Sequence, residues 1–204
     1  MSTWLSENYG VVSAVASVAT LGVWVAYLQL FYMSYRHQLR PKILITRGGG
    51  HKLSARWILT NMSPEIVFIQ GLLVRLGFDD RELFCSLSDV EKVASEERDP
   101  RSELFQGPLS VGEYLDLGTF EDIARAAMDS CGGAAEIDDL RELGLTAVGI
   151  YPWKDGMVAA ERNFTVRHEH GRRALVSDKP TARQIRSRRE LRRIERIMWE
   201  KAQD

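Results

Sequence analysis

The sequence predicts a mainly β protein. We expect an immunoglobulin-like antiparallel β-sandwich with a helical insertion, preceded by one transmembrane helix and followed by a basic amphipathic helix. Three observations predict this class. Residues 10–32 contain no Asp, Glu, Lys, Arg or His. Six or seven short apolar, β-branched runs follow, separated by turn residues and without regular strand–helix alternation. Residues 178–204 are rich in arginine at helical spacing.

The apolar segment at residues 10–32 is long enough to cross a membrane. A bilayer core of roughly 30 Å needs about 20 helical residues. A cleaved signal peptide is the main alternative, but it would carry positive charge before its apolar core. The residues before Gly10 contain no Lys or Arg and one acidic residue, Glu7. A buried globular helix is the second alternative. We therefore predict a retained anchor after a short external N-terminus at residues 1–9.

Positive charge lies on one side of this anchor. Basic residues follow it, and positively charged flanks stay in the cytoplasm. The sequence thus predicts a single-pass protein of the cell inner (plasma) membrane, with its N-terminus outside and its C-terminal domain in the cytoplasm. Residues 33–40 form the basic juxtamembrane segment. The five basic residues after the helix are Arg36, Arg40, Lys42, Arg47 and Lys52.

The predicted β-sandwich domain covers residues 41–177, including an acidic helical insertion. Apolar runs on either side of residues 61–64, Asn-Met-Ser-Pro, predict a hairpin, and Asp155-Gly156 predicts another. Residues 88–112 are polar and predict a long surface excursion. The expected strands are residues 41–46, 53–60, 65–76, 82–87, 145–151, 157–167 and 173–176.

The helical insertion is predicted at residues 120–130. Thr119 has the position of an N-cap, Asp122 lies three residues later, and Gly132 is a natural stop. Its apolar face consists of Ile123, Ala124, Ala127 and Met128. We expect the sandwich core to contain Ile43, Ile45, Trp57, Leu59, Val67, Ile69, Val74, Val148, Ile150 and Phe164.

Three stretches of this domain carry a resemblance to a known group. They are RPKILITRG at residues 40–48, ILTNMSPEIVFIQGLLVRL at residues 58–76 and VAAERNFTV at residues 158–166. With the charged stretch after the anchor, the chain resembles uncharacterised bacterial single-pass membrane proteins with a cytoplasmic β-sandwich domain. The resemblance covers most of the chain and implies the architecture, but no activity and no catalytic residues.

The sequence offers little that predicts catalysis. The triplet Gly48–Gly50 and Lys52 lack the spacing of a phosphate-binding loop, so we expect a hairpin turn there. His168 and His170 are two apart without a clear third ligand, which is weak evidence for a metal. Acidic pairs such as Asp79-Asp80 are expected to be solvated. Cys85 and Cys131 are expected to be free thiols in a reducing cytosol. We predict no enzyme activity, no cofactor and no metal.

Charge is strongly separated along the chain. Residues 79–142 contain 18 acidic and six basic residues, whereas residues 178–204 contain nine basic and five acidic ones. Residues 181–201 lack Gly and Pro and follow Pro180, which predicts that the basic helix begins near there. Its apolar arc consists of Leu191, Ile194, Ile197 and Met198, with Trp199 at the boundary and Arg188 on the opposite side among other arginines.

Three interpretations of this helix remain open: docking on the sandwich with a solvated arginine face, lying on anionic lipid, or binding an acidic protein or RNA. The residues expected to bind anionic lipid or a partner are Arg36, Arg40, Lys42, Arg186, Arg189, Arg192, Arg193 and Arg196.

The anchor carries small residues at four-residue spacing, which let membrane helices approach closely. We expect packing through Gly22 and Ala26, with Gln29 on nearly the same face. The predicted function is a membrane-anchored, non-catalytic interaction or scaffold module whose partners are the bilayer and cytoplasmic proteins. The alternatives are an accessory subunit or homo-oligomer packed through the membrane helix, and a nucleic-acid adaptor, which the sequence favours least.

Overall fold

The chain divides into two units, Met1–Arg40 and Pro41–Asp204. The computed structural model describes residues 8–38, 40–87, 106–131, 136–152, 154–169 and 172–201. The described part of the first unit is helix α1 (Tyr9–Gln38) and its flanking residues. All described strands belong to the second unit, which is mainly β.

Helix α1 contains a segment, Tyr9–Arg36, that is long and apolar enough to cross a membrane. The described side chains along this segment are exposed. A signal sequence near an N-terminus meets the same criteria of helix length and apolar composition. Two hydroxyl groups are satisfied within the helix, since Ser17 Oγ donates to Ser13 O at 2.9 Å and Thr20 Oγ1 donates to Ala16 O at 2.8 Å. Such bonds allow serine and threonine in an apolar environment.

The second unit contains ten described strands. They are β1 (Ile43–Gly48), β2 (Arg56–Asn61), β3 (Val67–Gly77), β4 (Glu82–Ser86), β5 (Gly107–Leu109), β6 (Tyr114–Thr119), β7 (Glu142–Tyr151), β8 (Lys154–Glu169), β9 (Arg172–Ser177) and β10 (Arg183–Ile185). They form two antiparallel sheets. One has three strands in the order β1-β2-β6; the other has seven, with β10-β8-β7-β3-β4 in order, β5 beside β3 and β9 beside β8.

The helices that accompany the sheets in the described residues include α2 (Phe120–Ser130), a short 3-10 helix at Ile137–Asp139, and α3 (Arg188–Lys201). Helix α2 has the bounds that the sequence predicts. The backbone N–H of Asp122 donates to Thr119 Oγ1 at 3.1 Å, which is the expected N-cap. The predicted apolar residues of α2 are all buried.

The core lies between the two sheets and includes α2. Trp57 of β2, Phe120 of α2 and Phe164 of β8 form an aromatic cluster at its centre, with ring centroids 4.3 to 6.1 Å apart. These are the separations at which tilted aromatic pairs attract each other. Because the three rings come from three different elements, the cluster joins both sheets and the helix. All three residues are fully buried.

The predicted hairpin around residues 61–64 is wrong. Strand β2 pairs with β1 and β6, whereas β3 belongs to the other sheet, so the chain crosses between sheets here. Buried Asn61 supports the crossing: its Nδ2 donates to the carbonyls of Glu65 and Leu109 at 2.8 Å each, and its Oδ1 accepts from Ser63 N at 2.8 Å. These bonds satisfy backbone groups that a hairpin ladder would otherwise pair.

Part of the predicted core is also wrong. Eight of the ten expected residues lie in the main core, but Ile150 is 42% exposed and Val148 packs on the opposite face of its sheet. The residues of β7 that face the core are Leu143, Leu145, Ala147 and Tyr151. Strand β7 is apolar on both faces, so its alternation does not reveal which face is inside.

The basic helix begins later than predicted. Residues 183–185 form strand β10, which pairs with β8, and α3 begins at Arg188. Gln184 also occupies the free edge of β1: its Oε1 accepts from Ile43 N at 3.1 Å and its Nε2 donates to Ile43 O at 2.6 Å. Tertiary pairing therefore overrides the helical propensity of this segment.

The two cysteines, which the sequence predicts to be free thiols, are bonded to each other in the structure. Cys85 and Cys131 form a disulfide with a Cα–Cα distance of 6.0 Å. The bond joins β4 to the C-cap of α2. The two residues are 46 positions apart, and only the fold brings them together.

Candidate functional site

The candidate site is the outer face of the seven-stranded sheet, which points away from the three-stranded sheet. Strand registers place its side chains in four cross-strand rows. The first two rows are mixed and the last two are apolar. In order, the rows are Phe84-Arg75-Gly144-Asn163, Leu73-Thr146-Glu161-Arg183, Gly71-Val148-Ala159-Ile185 and Pro108-Phe68-Ile150-Met157.

Helix α3 covers the third row. Val148, Ala159 and Ile185 are buried there, and half-buried side chains of α3 pack against them. The helix is oriented as its sequence pattern predicts, with its apolar arc towards protein and its arginines towards solvent. The helical side chains in this contact are Leu191, Ile194 and Met198. Of the three interpretations open for the tail, the structure shows docking on the folded domain, at the seven-stranded sheet.

A groove with a cavity of about 290 Å³ remains between α3 and the two mixed rows. Apolar side chains line much of it, and charged side chains of both signs lie among them. Its volume is at the lower end of the range for small-molecule sites. The lining from α3 is Glu190, Arg193, Ile194 and Ile197.

Two arginines organise the charges of the groove. Arg75 contacts Glu82 at 2.9 Å and Glu142 at 3.0 Å, which links β3 to both neighbouring strands. Arg183 contacts Glu161 at 2.6 Å and Glu190 at 3.1 Å. Arg183 thereby links β8, β10 and α3, so the position of the helix depends on an ion-pair network as well as on apolar contact.

Glu161 is the most constrained carboxylate of this network. Burial alone would raise its pKa, but hydrogen bonds from Arg183 and from Asn163 Nδ2, the latter at 2.8 Å, hold the pKa of Glu161 below its ordinary value. Asn163 Oδ1 is buried and has no hydrogen-bond partner in the described part of the chain. It points at Gly144, where an added Cβ would lie 2.5 Å from this oxygen. A side chain at position 144 would therefore require the Asn163 amide to move.

A second surface of the site is the solvent side of α3 and the residues before it, which we call the arginine face. All its members are exposed, and none has an ion pair among the described residues. Neighbouring arginines repel one another. A bound anionic group would relieve this repulsion, so this surface attracts anionic groups. The arginine face consists of Arg186, Arg188, Arg189, Arg192, Arg193 and Arg196, of which Arg193 also lies at the groove.

The remaining predicted site residues lie elsewhere. Gly22, Ala26 and Gln29 are exposed along α1, and nothing lies within 4 Å of a Cβ added at Gly22. Arg36 lies over the ring of Tyr32 at 5.6 Å. Arg40 and Lys42 are exposed, and the backbone N–H of Lys42 donates to Ser63 Oγ at 2.9 Å. Arg40 and the residues of α1 belong to the first unit, whereas Lys42 belongs to the second.

The described residues contain no cluster that suits a metal ion. The predicted pair, His168 and His170, lies outside the side chains that the structure describes. At the glycine triplet, Gly49 and Gly50 have positive φ angles of 80° and 113°, and the chain returns as strand β2. This is the expected hairpin connection, and no helix N-terminus follows it as a phosphate-binding loop requires.

Sequence reasoning missed the groove entirely. Its residues come from six elements, and their spacing shows no motif. One signal was available: residues 143–150 are apolar or small at both odd and even positions. A strand that is buried on both faces needs a cover on its second face, and the amphipathic C-terminal helix is the obvious candidate for it.

The comparisons with known proteins give no match. The chain resembles no protein-family model, no curated protein and no solved structure at a significant level.

Proposed function

We propose that the protein is a membrane-anchored, non-catalytic interaction module whose sandwich presents the arginine face to an acidic protein partner. One observation carries the proposal: α3 packs its apolar arc on the sheet and leaves six arginines exposed and unpaired among the described residues. A cationic surface that is held rigidly by a folded domain suits recognition of carboxylate-rich surfaces, since arginine binds carboxylates in a planar, bidentate manner.

A protein partner is favoured over lipid because of how α3 is packed. A helix that lies in a bilayer interface inserts its apolar face among the lipid chains. In α3 that face contacts Val148, Ala159 and Ile185 instead. Trp199, which is 67% exposed, is the one large aromatic side chain on the described part of α3. A single ring is a poor platform for stacking successive bases, so nucleic acid is favoured least.

In this function α1 is a retained anchor in the inner membrane, with the N-terminus outside and the sandwich in the cytoplasm. The length and composition of Tyr9–Arg36 support a spanning helix. The basic residues that follow the apolar run support the orientation.

An immunoglobulin-like topology is part of the proposal. The order β1-β2-β6 corresponds to strands A-B-E, and β4-β3-β7-β8 corresponds to C′-C-F-G. Helix α2 connects strands E and F in this scheme. Strands β9 and β10 are additions, and the buried Trp57 lies on the second strand instead of the third.

Site-specific photo-crosslinking in living cells tests the partner. A benzophenone amino acid replaces Arg192 in the full chain, so that the probe lies in the centre of the arginine face. We expect a discrete protein adduct. The control position is Val111, which is 57% exposed on the turn before β6 and lies outside the arginine face.

Charge variants then identify the chemistry. Arg189 and Arg196 lie three and four residues from the probe and share its side of the helix. Replacing both with Glu should abolish the adduct, and replacing both with Lys should retain most of it. An adduct that survives charge reversal, or one made of lipid or ribonuclease-sensitive RNA, would contradict an acidic protein partner.

Orientation requires a separate experiment, because both cysteines are bonded in the structure and thiol labelling would be ambiguous. We expect a C-terminal green fluorescent protein fusion to be fluorescent and a C-terminal alkaline phosphatase fusion to be inactive. Mass spectrometry of the purified chain should show residues 1–32 retained. An active phosphatase would reverse the orientation, and loss of the segment would identify a signal peptide.

A second candidate function is an accessory subunit that packs through α1. The uncovered surface around Gly22, where no atom lies within 4 Å of an added Cβ, supports close approach of another helix. Gln29 lies on nearly the same side and can hydrogen-bond across an interface. We expect Gly22→Ile with Ala26→Ile to weaken association of α1 in a membrane two-hybrid reporter, and Val23→Ile to leave it unchanged. An unaffected signal in the double variant would remove this face from consideration.

A further inference from the structure

The disulfide lies directly behind the groove. Cys85 is fully buried in β4, and Cys131 is half-buried at the C-cap of α2. Successive side chains of a strand point to opposite faces. Cys85 therefore points into the core, while its neighbour Phe84 points outward and lines the groove with Glu82.

Strand β4 makes further contacts on both of its faces. Cys131 Sγ lies 3.5 Å from the carbonyl oxygen of Phe84. On the outer face, Glu82 contacts Arg75 at 2.9 Å. Strand β4 pairs with β3 and with no other described strand. The bond to Cys131 is thus a second attachment for an edge strand that forms one wall of the groove.

We propose that Cys85 and Cys131 are a reversible thiol oxidation site whose state controls the groove beneath α3. The proposal rests on the cytoplasmic orientation proposed above, because cytosolic thiols are kept reduced and a cytosolic disulfide is a transient or sensing one. The co-reactant is a low-molecular-weight disulfide of the glutathione type.

The exchange proceeds in two balanced steps. Half-buried Cys131 loses its proton, and its thiolate attacks one sulfur of the small disulfide, forming a mixed disulfide and releasing one small thiolate. Cys85 then loses its proton, attacks the sulfur of Cys131 and displaces the second small thiolate. Two protein thiols are oxidised, one small disulfide is reduced to two thiols, and the two protons go to those thiolates. Reduction is the reverse sequence.

The position of Cys131 determines the rate of the first exchange step. The C-terminal end of a helix carries partial negative charge, which disfavours a thiolate. The first step is therefore slow, and the site responds to sustained oxidation instead of brief pulses. Closing the 46-residue separation restricts the chain when β4 detaches, so the bonded form opens less often.

The state of the site in cells is measured first. Cells are quenched in acid, and free thiols of the full chain are labelled with polyethylene glycol maleimide after denaturation. We expect two labels per chain in untreated cells and none after treatment with the thiol oxidant diamide, with return to two labels after reductant. Cys131→Ser should carry one label under every condition.

Hydrogen exchange of the purified, detergent-solubilised full chain measures how often the backbone around the groove opens. We expect amides of Glu82–Ser86 to exchange at least about tenfold faster in the reduced than in the oxidised protein, with a smaller increase in α3. Cys131→Ser should exchange at the reduced rate whether or not reductant is present. The aromatic cluster around Trp57 should show no change, which separates a local effect from a loss of folding.

The outcomes separate this inference from the proposed function. Cysteines that stay reduced after diamide, or equal exchange in both states, would overturn the oxidation site while the fusion reporters still give a cytoplasmic domain. A bond already complete in untreated cells, together with active phosphatase, would overturn both the oxidation site and the orientation.

Discussion

The two faces of the seven-stranded sheet are built from different side chains. On the inner face, β7 presents Leu143, Leu145 and Ala147, all fully buried in the main core. On the outer face, the same strand presents Gly144 and Thr146 to a groove that contains six charged residues. Apolar burial therefore stabilises the inner face, whereas the outer face depends on ion pairs and one helix for its cover.

The largest expected loss of stability comes from a substitution on the inner face. Trp57→Ala removes the ring that joins Phe120 and Phe164, and we expect the free energy of unfolding to fall by about 3–5 kcal/mol, since the cavity lies among three elements that cannot all collapse into it. Chemical denaturation of the detergent-solubilised chain measures the change.

The matched variant on the outer face is Ile150→Ala. Because Ile150 is 42% exposed, we expect a loss of less than about 1 kcal/mol. Equal losses in the two variants would mean that the faces do not differ in the way described.

An intermediate effect is expected at the cover of the outer face. Ile194→Ala shortens a half-buried side chain that contacts both the apolar row and the groove, and we expect a loss of about 1–2 kcal/mol. Arg192→Ala is the control on the neighbouring, solvent-facing position and should stay within about 0.5 kcal/mol of the parent. If Ile194→Ala behaved like Arg192→Ala, α3 would not be docked in solution.

The smallest expected effect concerns the pH dependence of the outer face. The pKa of Glu161 is lowered in the folded protein, so its ion pair stabilises the fold above the ordinary carboxyl pKa, and this contribution is lost as the pH falls through the lowered value. Glu161→Gln should reduce stability at neutral pH and flatten the decrease of stability between about pH 5 and pH 3.

Asp79→Asn is the control for this pH experiment. The hydrogen bond from Arg141 lowers the pKa of Asp79, but this carboxylate is fully exposed. Solvent screening weakens exposed pairs, so the acid profile of Asp79→Asn should change less than that of Glu161→Gln. A larger change at Asp79 would contradict the importance assigned to the groove network.

Local signals predicted the inner face well. Helix α2 has its expected bounds because its N-cap and apolar face lie within eleven residues. The strands were placed from apolar runs and turns, and most of the expected core was confirmed. Their partners were not predictable, since pairing depends on residues far apart: β2 was expected beside β3 and lies instead between β1 and β6.

The outer face was predicted only in part. The arginine face follows from helical periodicity alone and lies in solvent as expected. The groove was not predicted, because Arg75, Glu161 and Arg183 come together through strand register, and Ile185 belongs to a strand that the sequence places in a helix. The disulfide was missed because the cytoplasmic assignment implied free thiols.

Gln184, a residue of β10, occupies the free edge of β1 with its side chain. Its side-chain amide bonds both backbone groups of Ile43, at 3.1 Å and 2.6 Å, as a paired residue would. Arg162 extends the cover by donating from Nη1 to the carbonyl of Ile45 at 2.6 Å. Unprotected sheet edges recruit strands from other molecules and start aggregation. These two side chains therefore block pairing of the β1 edge with a strand of another molecule. The first expected consequence of a change at Gln184 is insolubility at high protein concentration.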